Sequence, residues 1–208
     1  MAMNCCGATL GPSACDSVEG DFYRATEVAC LPAGPVLSSV GCGNPTGLVE
    51  LRPGETVLDL GSGGGLLEGE IEAIPLPDAS VDVIISNCVI NLSADKERAL
   101  REAFRVLKPG GRVAISDIVI RGDSPQPIRR SIEPWVGCVA GALEVSELEQ
   151  LLREVGFLDP SIEPLRVYRF DDPKALQEVG SSALEVLARE VGGCVMGAFI
   201  RARKPEWV

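Results

Sequence analysis

Two residue types in this chain have the chemistry and spacing to build a site: cysteine and glycine. The 208 residues include eight cysteines and no histidine. Without histidine the commonest general base and the usual Cys/His zinc patterns are excluded. Thiolates remain, and thiolates prefer soft ions. Cys5 and Cys6 are adjacent, a spacing that cannot easily be bridged, so they suit a soft-ion ligand pair better than a structural disulfide. Cys42 stands between Gly41 and Gly43, just before Asn44-Pro45, exposed to whatever that loop approaches. The bland alternative is a small buried apolar residue. Cys88 lies inside an apolar run, where plain burial explains it equally well. Cys15, Cys30 and Cys194 carry no assigned role.

The glycines follow a strand. Glu55-Thr-Val-Leu-Asp-Leu-Gly-Ser-Gly-Gly-Gly65 predicts a buried parallel strand over 56–60 that runs into Gly61, Gly63 and Gly65. Glycine lets the backbone turn sharply and approach a ligand closely, since no Cβ intrudes. At the carboxyl end of the first strand of a doubly wound sheet, such a turn is where nucleotide cofactors bind. Asp59 within the strand and the lack of a Lys after the glycines argue against a P-loop. A turn that binds S-adenosylmethionine (SAM) fits better than a P-loop or a dinucleotide fingerprint.

Bulk properties narrow the rest. The length suits one ample domain, with or without a tail. With 19 basic and 30 acidic residues the net charge is −11, which repels a phosphate backbone and excludes nucleic acid as a partner. No apolar run reaches the length of a membrane span, and the first residues lack the charged and apolar regions of a secretory signal. The expected place is the cytoplasm, where cysteines are thiols or ligands rather than disulfides.

Further along, Val81–Ser86 predicts a central strand, and Ser93 is expected to cap a helix running to about Leu107, with Leu100, Phe104 and Leu107 on one face. Lys108-Pro-Gly-Gly111 reads as a stop and turn before a buried strand over 111–119. Residues 128–141, with Trp135 and Cys138, read as helical. Ser146 opens a helix over 147–155 closed by Gly156. A strand over 165–170, a helix over 173–190 and a final antiparallel strand over 194–202 complete the pattern. Between the glycine turn and Val81, Pro75 and Pro77 leave room for at most one short crossover.

Together these motifs resemble the arsenite SAM methyltransferases of bacterial type. The matching stretches are Gly41-Cys-Gly-Asn-Pro45, the glycine turn, Gly69-Glu-Ile-Glu-Ala-Ile-Pro-Leu-Pro-Asp78, Ser86-Asn-Cys-Val-Ile-Asn-Leu92, Phe104-Arg-Val-Leu-Lys-Pro-Gly-Gly111 and Trp135-Val-Gly-Cys-Val-Ala-Gly-Ala-Leu143. The glycine turn and Lys-Pro-Gly-Gly recur across many methyltransferases. The segments around Cys88 and Cys138 are far more specific.

The resemblance implies an α/β fold: a Rossmann-like class I SAM-dependent methyltransferase sheet, here reduced to about five strands with an antiparallel final strand. It implies a cysteine-containing arm over 1–34 and a truncated methyltransferase domain over 35–208. By the same analogy, Cys42, Cys88 and Cys138 hold trivalent arsenic, with Cys5 or Cys6 as a further thiol. Asp59, Gly61, Gly63, Ile71, Glu72 and Asn87 line the SAM pocket. SAM is the cosubstrate, arsenite or its thiol conjugates the substrate, and a thiol reductant the partner. No metal cofactor, membrane or nucleic acid is expected.

One departure from the family pattern concerns length. The family places helix–strand–helix–strand between the glycine turn and Gly69, where this chain has only Leu66, Leu67 and Glu68. At ~30 residues per βαβ unit, roughly 40 to 50 residues and the ribose-binding acid have no counterpart. Asp82 lies near the right distance but inside the next strand. Three readings follow: an arsenite methyltransferase, an arsenic-binding protein with an impaired SAM site, or a methyltransferase for another small substrate with incidental cysteines. A true internal deletion leaves the 56–60 strand open at a sheet edge.

Overall fold

The structure is a computed structural model that describes Gly43 and residues 49–62, 67–122, 141–167 and 195–207. Its centre is a five-stranded sheet. Val81–Asn87 (β2) and Leu107–Ile120 (β3) are rich in Val and Ile and buried on both faces, as central parallel strands must be. Val57–Leu60 (β1) pairs parallel to β2, and β2 parallel to β3. Leu158–Val167 (β4) and Val195–Arg203 (β5) complete the order β1-β2-β3-β5-β4, with β5 antiparallel to both neighbours. About five strands with an antiparallel last one is what the sequence predicts.

A doubly wound sheet grows outward from its first strand in both directions. Here, among the described residues, it grows in one direction only, and β1 is the edge. The expected burial of β1 is therefore corrected. Val57 and Asp59 are exposed and only Leu60 is buried, because no neighbouring strand covers them.

Among the described residues, two α-helices flank the sheet. Lys96–Val106 (α1) is capped by Asp95, whose carboxylate accepts from the Arg98 amide at 3.0 Å. Ser93, expected as the cap, instead accepts from the Asp95 amide at 3.1 Å, one step outside the helix. A carboxylate two residues later reaches the orphan amides of the first turn better. Ala99, Leu100, Ala103 and Val106 form the buried face, while Leu107 already belongs to β3. The expected stop and turn at Lys108–Gly111 lies within β3 as a bulge. The register jumps from Val81 opposite Leu107 to Val83 opposite Arg112. The orphan carbonyls of Phe104 and Leu107 accept from Lys204 Nζ, both at 2.9 Å.

Val145–Val155 (α2) is capped by Glu144, two residues before the predicted opening, and closed by Gly156 at φ +113°, as predicted. The rings of Phe104 and Phe157 meet edge-to-face at 5.1 Å and join the two helix ends. β4 starts seven residues before the predicted strand. Pro160 and Pro164 hid it, yet an edge strand tolerates proline, and the register shifts around both positions. The helix predicted over 128–141, apart from Gly141, the helix predicted over 173–190 and the 1–34 arm lie outside the described residues.

Candidate functional site

The carboxyl ends of β1 and β2 lie side by side. Leu60 is opposite Ser86, whose hydroxyl donates to the Leu60 carbonyl at 3.3 Å. The chain then turns at Gly61, with φ +82°. A Cβ built there would lie 2.2 Å from Val89 Cγ2, so only glycine fits. The turn rests against the loop that carries Cys88. Asp59 faces outward beside it, and burial of its carboxyl by surrounding protein pushes its pKa up even though the residue keeps an exposed edge. Gly63 lies outside the described residues.

The segment with Ile71 and Glu72 is brought to the same place. Glu72 accepts a short hydrogen bond from the Ser93 hydroxyl, just after the Cys88 loop. Arg105 of α1 holds the segment from below, donating to the carbonyls of Ile74 and Leu76, each at 2.9 Å, and to Asp78 at 2.6 Å. Asp82 sits at the other end of β2, paired with Lys108 at 2.7 Å and accepting from the Thr56 amide at 2.9 Å. It is remote from the glycine turn, as its position in the strand implies.

Cys88 follows β2 directly. It is 5% exposed and adopts φ +53°, a left-handed conformation that costs a non-glycine residue strain. Its amide donates to the Ser116 carbonyl at 2.8 Å. Its sulfur is in a disulfide whose partner lies outside the described residues. This corrects the expectation of thiols rather than disulfides: two cysteine sulfurs meet at the buried end of β2, and in this structure they are covalently paired. Cys5, Cys6, Cys42 and Cys138 lie outside the described residues, and no cluster of three or more metal-ligating side chains occurs among those described.

Asn87 Nδ2 donates to the Gly43 carbonyl at 2.7 Å. Gly43 is buried and packs against Ser116, whose hydroxyl is fully buried with no hydrogen-bond partner among the described residues. Behind the Cys88 loop, Asp117 accepts from the Asn91 amide at 3.1 Å and the Ile118 amide at 2.8 Å, while Asn91 Nδ2 donates to the Ile118 carbonyl at 2.7 Å. Burial pushes the Asp117 carboxyl up to about 7 against the pull of those amides and Lys96. Sequence reasoning missed Gly43, Ser116 and Asp117. The available signal was two polar residues inside the apolar run of β3.

Asp59, Gly61, Ile71, Glu72 and Asn87 thus gather around one sheet end, with Cys88 beside them. The glycine turn, the Asp59 carboxyl and Asn87 suit a SAM-type donor. Among the described residues no acid stands where a second strand would present one to a ribose.

A family model described as "Methyltransferase domain" matches residues 66–156. The arsenite methyltransferase of Halobacterium salinarum is 33% identical over 255 aligned positions, covering 97% of this chain and 62% of that protein. The human arsenite methyltransferase is 41% identical over 87 residues, covering 42% of this chain and 23% of that protein. The crystal structure of CrArsM, an arsenic(III) S-adenosylmethionine methyltransferase from Chlamydomonas reinhardtii, superposes with a TM-score of 0.60. It is 26% identical and covers 94% of this chain and 74% of that one. The chain therefore spans less than two thirds of the length of these curated relatives. The Halobacterium alignment has 255 positions against 208 residues here, so at least 47 positions (255 less 208) of that relative face no residue of this chain.

Proposed function

We propose that this chain, which is similar to the arsenite methyltransferases and has a sheet like theirs, transfers a methyl group from SAM to thiolate-bound trivalent arsenic. The observation that carries this reading is Cys88: a buried, conformationally strained cysteine at the carboxyl end of β2, its sulfur bonded to a second sulfur, beside the glycine turn. Sulfurs close enough to pair are close enough, once reduced, to share one soft atom.

In this reading Cys42, Cys88 and Cys138 hold arsenic as thiolates, with Cys5 or Cys6 as a further thiol. Pyramidal coordination leaves the arsenic lone pair free. The As–C bond forms as the methyl C–S bond breaks, and that bonding pair stays on sulfur. Arsenic is formally oxidised by two electrons, so a thiol reductant is required to return the product to the trivalent state. SAM supplies the electrophilic methyl. Asp59, Gly61, Gly63, Ile71, Glu72 and Asn87 bind and orient it. No side chain has to accept a proton from arsenic, and the work is positioning and exclusion of water. The chemistry suits arsenite detoxification in the cytoplasm, where the thiol reductant that the reaction needs would also open the Cys88 disulfide.

The test uses reduced full-length chain with inorganic arsenite and SAM, measuring methylated arsenic by chromatography and SAM binding by calorimetry. Methylated product that vanishes in Cys88→Ser supports the proposal. Arsenite bound without product, or turnover unchanged in Cys88→Ser, overturns it.

A further inference from the structure

Glu72 stands at the tip of a tight turn. The Ala73 amide donates to the Glu70 carbonyl at 3.0 Å, which makes Ile71 and Glu72 its central residues. Helix α1 grips the chain as it leaves the turn. The Ile74 amide donates to Glu102 and the Ile74 carbonyl accepts from Arg105, each at 2.9 Å. The backbone is fixed in this way, but a glutamate side chain has further torsions that backbone contacts do not set. One side-chain bond sets them here: the Ser93 hydroxyl donates to Glu72 Oε1.

Ser93 is itself held firmly. It is 7% exposed. Its amide donates to the Ile90 carbonyl at 3.1 Å, and its carbonyl accepts from Lys96 Nζ at 3.1 Å. Its hydroxyl oxygen accepts from the Asp95 amide, also at 3.1 Å. A serine hydroxyl has a single proton to donate, and here Glu72 receives it. Helix α1 has no use for that proton, because its orphan amides require acceptors and Asp95 supplies one. The bond occupies one oxygen of the carboxylate. A carboxylate accepts at both, so Oε2 is left for an N–H of a ligand.

We infer that Ser93 is a positioning residue for the methyl donor: its hydroxyl holds the Glu72 carboxylate in one orientation, so that the second oxygen is ready to accept from SAM. SAM offers suitable N–H donors in its amino groups. The gain is preorganisation, since the side chain is ordered before the ligand arrives rather than by it. The inference rests on the donor site proposed above, in which Ile71 and Glu72 bind SAM. Ser93 acts through Glu72 rather than on SAM itself.

The experiment measures S-adenosylhomocysteine binding to the reduced full-length chain by calorimetry, in a double-mutant cycle of Glu72→Ala and Ser93→Ala, with a melting curve for every variant. S-Adenosylhomocysteine keeps the amino groups of SAM. Glu72→Ala is expected to weaken binding about tenfold or more. Ser93→Ala removes one oxygen atom and is expected to weaken binding about threefold to tenfold, because one long side chain must then be ordered by the ligand. In the Glu72→Ala background, Ser93→Ala should change nothing further. Asp95→Ala is the stability control: it removes the α1 cap without touching Glu72, and is expected to lower Tm while leaving the affinity as in the parent. A Ser93→Ala chain that melts lower yet binds like the parent has lost structure only, and the inference is overturned. It is overturned too if Ser93→Ala weakens binding as much without Glu72 as with it. If the parent does not bind S-adenosylhomocysteine, or Glu72→Ala binds as tightly as the parent, the donor site itself is overturned.

Discussion

Replacing Asp117 with Asn should change how stability depends on pH. Asp117 is 2% exposed, and its folded pKa of about 7 compares with an ordinary value of 3.8. Three backbone amides and Lys96 favour the ionised form, and burial outweighs them. The folded carboxyl keeps its proton to about pH 7, whereas the unfolded one releases it near pH 4. Between those limits the native state binds more protons, so stability falls as pH rises and levels off above the folded pKa. At ~1.4 kcal/mol per pKa unit, about three units give ~4 kcal/mol over the whole window. Roughly 2 kcal/mol of this falls between about pH 5 and pH 7. Asn does not titrate, and the other groups cancel in the difference between the two proteins. The assay is urea unfolding of both at intervals from about pH 5 to pH 8, at one ionic strength and one redox state. The native protein should lose about 2 kcal/mol relative to Asp117→Asn across this range. A difference that stays constant over the range would refute the reasoning, because Asp117 would then be ionised throughout in the folded state.

Glu55 runs the opposite way. Its carboxylate accepts from Arg112 at 2.7 and 2.9 Å and from the Arg52 amide at 2.7 Å, with the Arg112 hydrogen bonds the main cause of a pKa near about 2. A depressed folded pKa contributes stability above the unfolded value of 4.5 and loses it as pH falls toward 2. The advantage of the parent over Glu55→Gln in circular-dichroism melts should therefore shrink steadily below about pH 4.5. Gly156→Ala forces a Cβ onto a backbone at φ +113° and to 3.1 Å from the Phe104 ring. It should lower the urea midpoint by an amount equivalent to about 1–2 kcal/mol with no change in slope. The open edge of β1 should drive concentration-dependent self-association, visible by sedimentation and enhanced by salt that screens the net charge of −11. Val57→Lys should suppress it, and a parent protein monomeric at about 100 μM in high salt would count against an exposed pairing edge.

The elements legible in the sequence are those whose signals are local. Val81–Asn87 is rich in Val and Ile, α2 ends on a glycine that needs φ +113°, and β5 alternates little because it is buried on both faces. Errors arose where two local signals compete. Ser93 and Asp95 can each cap α1, and the carboxylate prevails. Lys108–Gly111 has the composition of a turn but is absorbed as a bulge because Leu107 is still paired with Val81. Pro160 and Pro164 speak against a strand until the strand is known to be an edge. At the site, the glycine turn, Glu72, Asn87 and Cys88 are readable from motifs. The contact between Gly43 and Ser116 is set by tertiary approach, which no spacing rule reports.

The one-sided sheet has a consequence for the two halves of the site. In a doubly wound fold the crevice at the first strand has two walls, and the ribose is held from the second strand. The wall described here is β2 and β3, which carry Cys88, Asn87 and Ser116 and are braced by Asp117 against the loop at Asn91. The proposed thiol half belongs to that wall. The proposed donor half has the glycine turn and the Glu72 segment but, among the described residues, no acid for a ribose. A hydrogen bond to a charged acceptor contributes about 1.5–3 kcal/mol, or some tenfold to a hundredfold in affinity. A donor analogue without its ribose hydroxyl should therefore lose almost nothing here. 2′-Deoxy-S-adenosylhomocysteine is expected to bind within about threefold of S-adenosylhomocysteine by calorimetry. A tenfold or greater loss would mean that a carboxylate does reach the ribose, and that the crevice has a second wall.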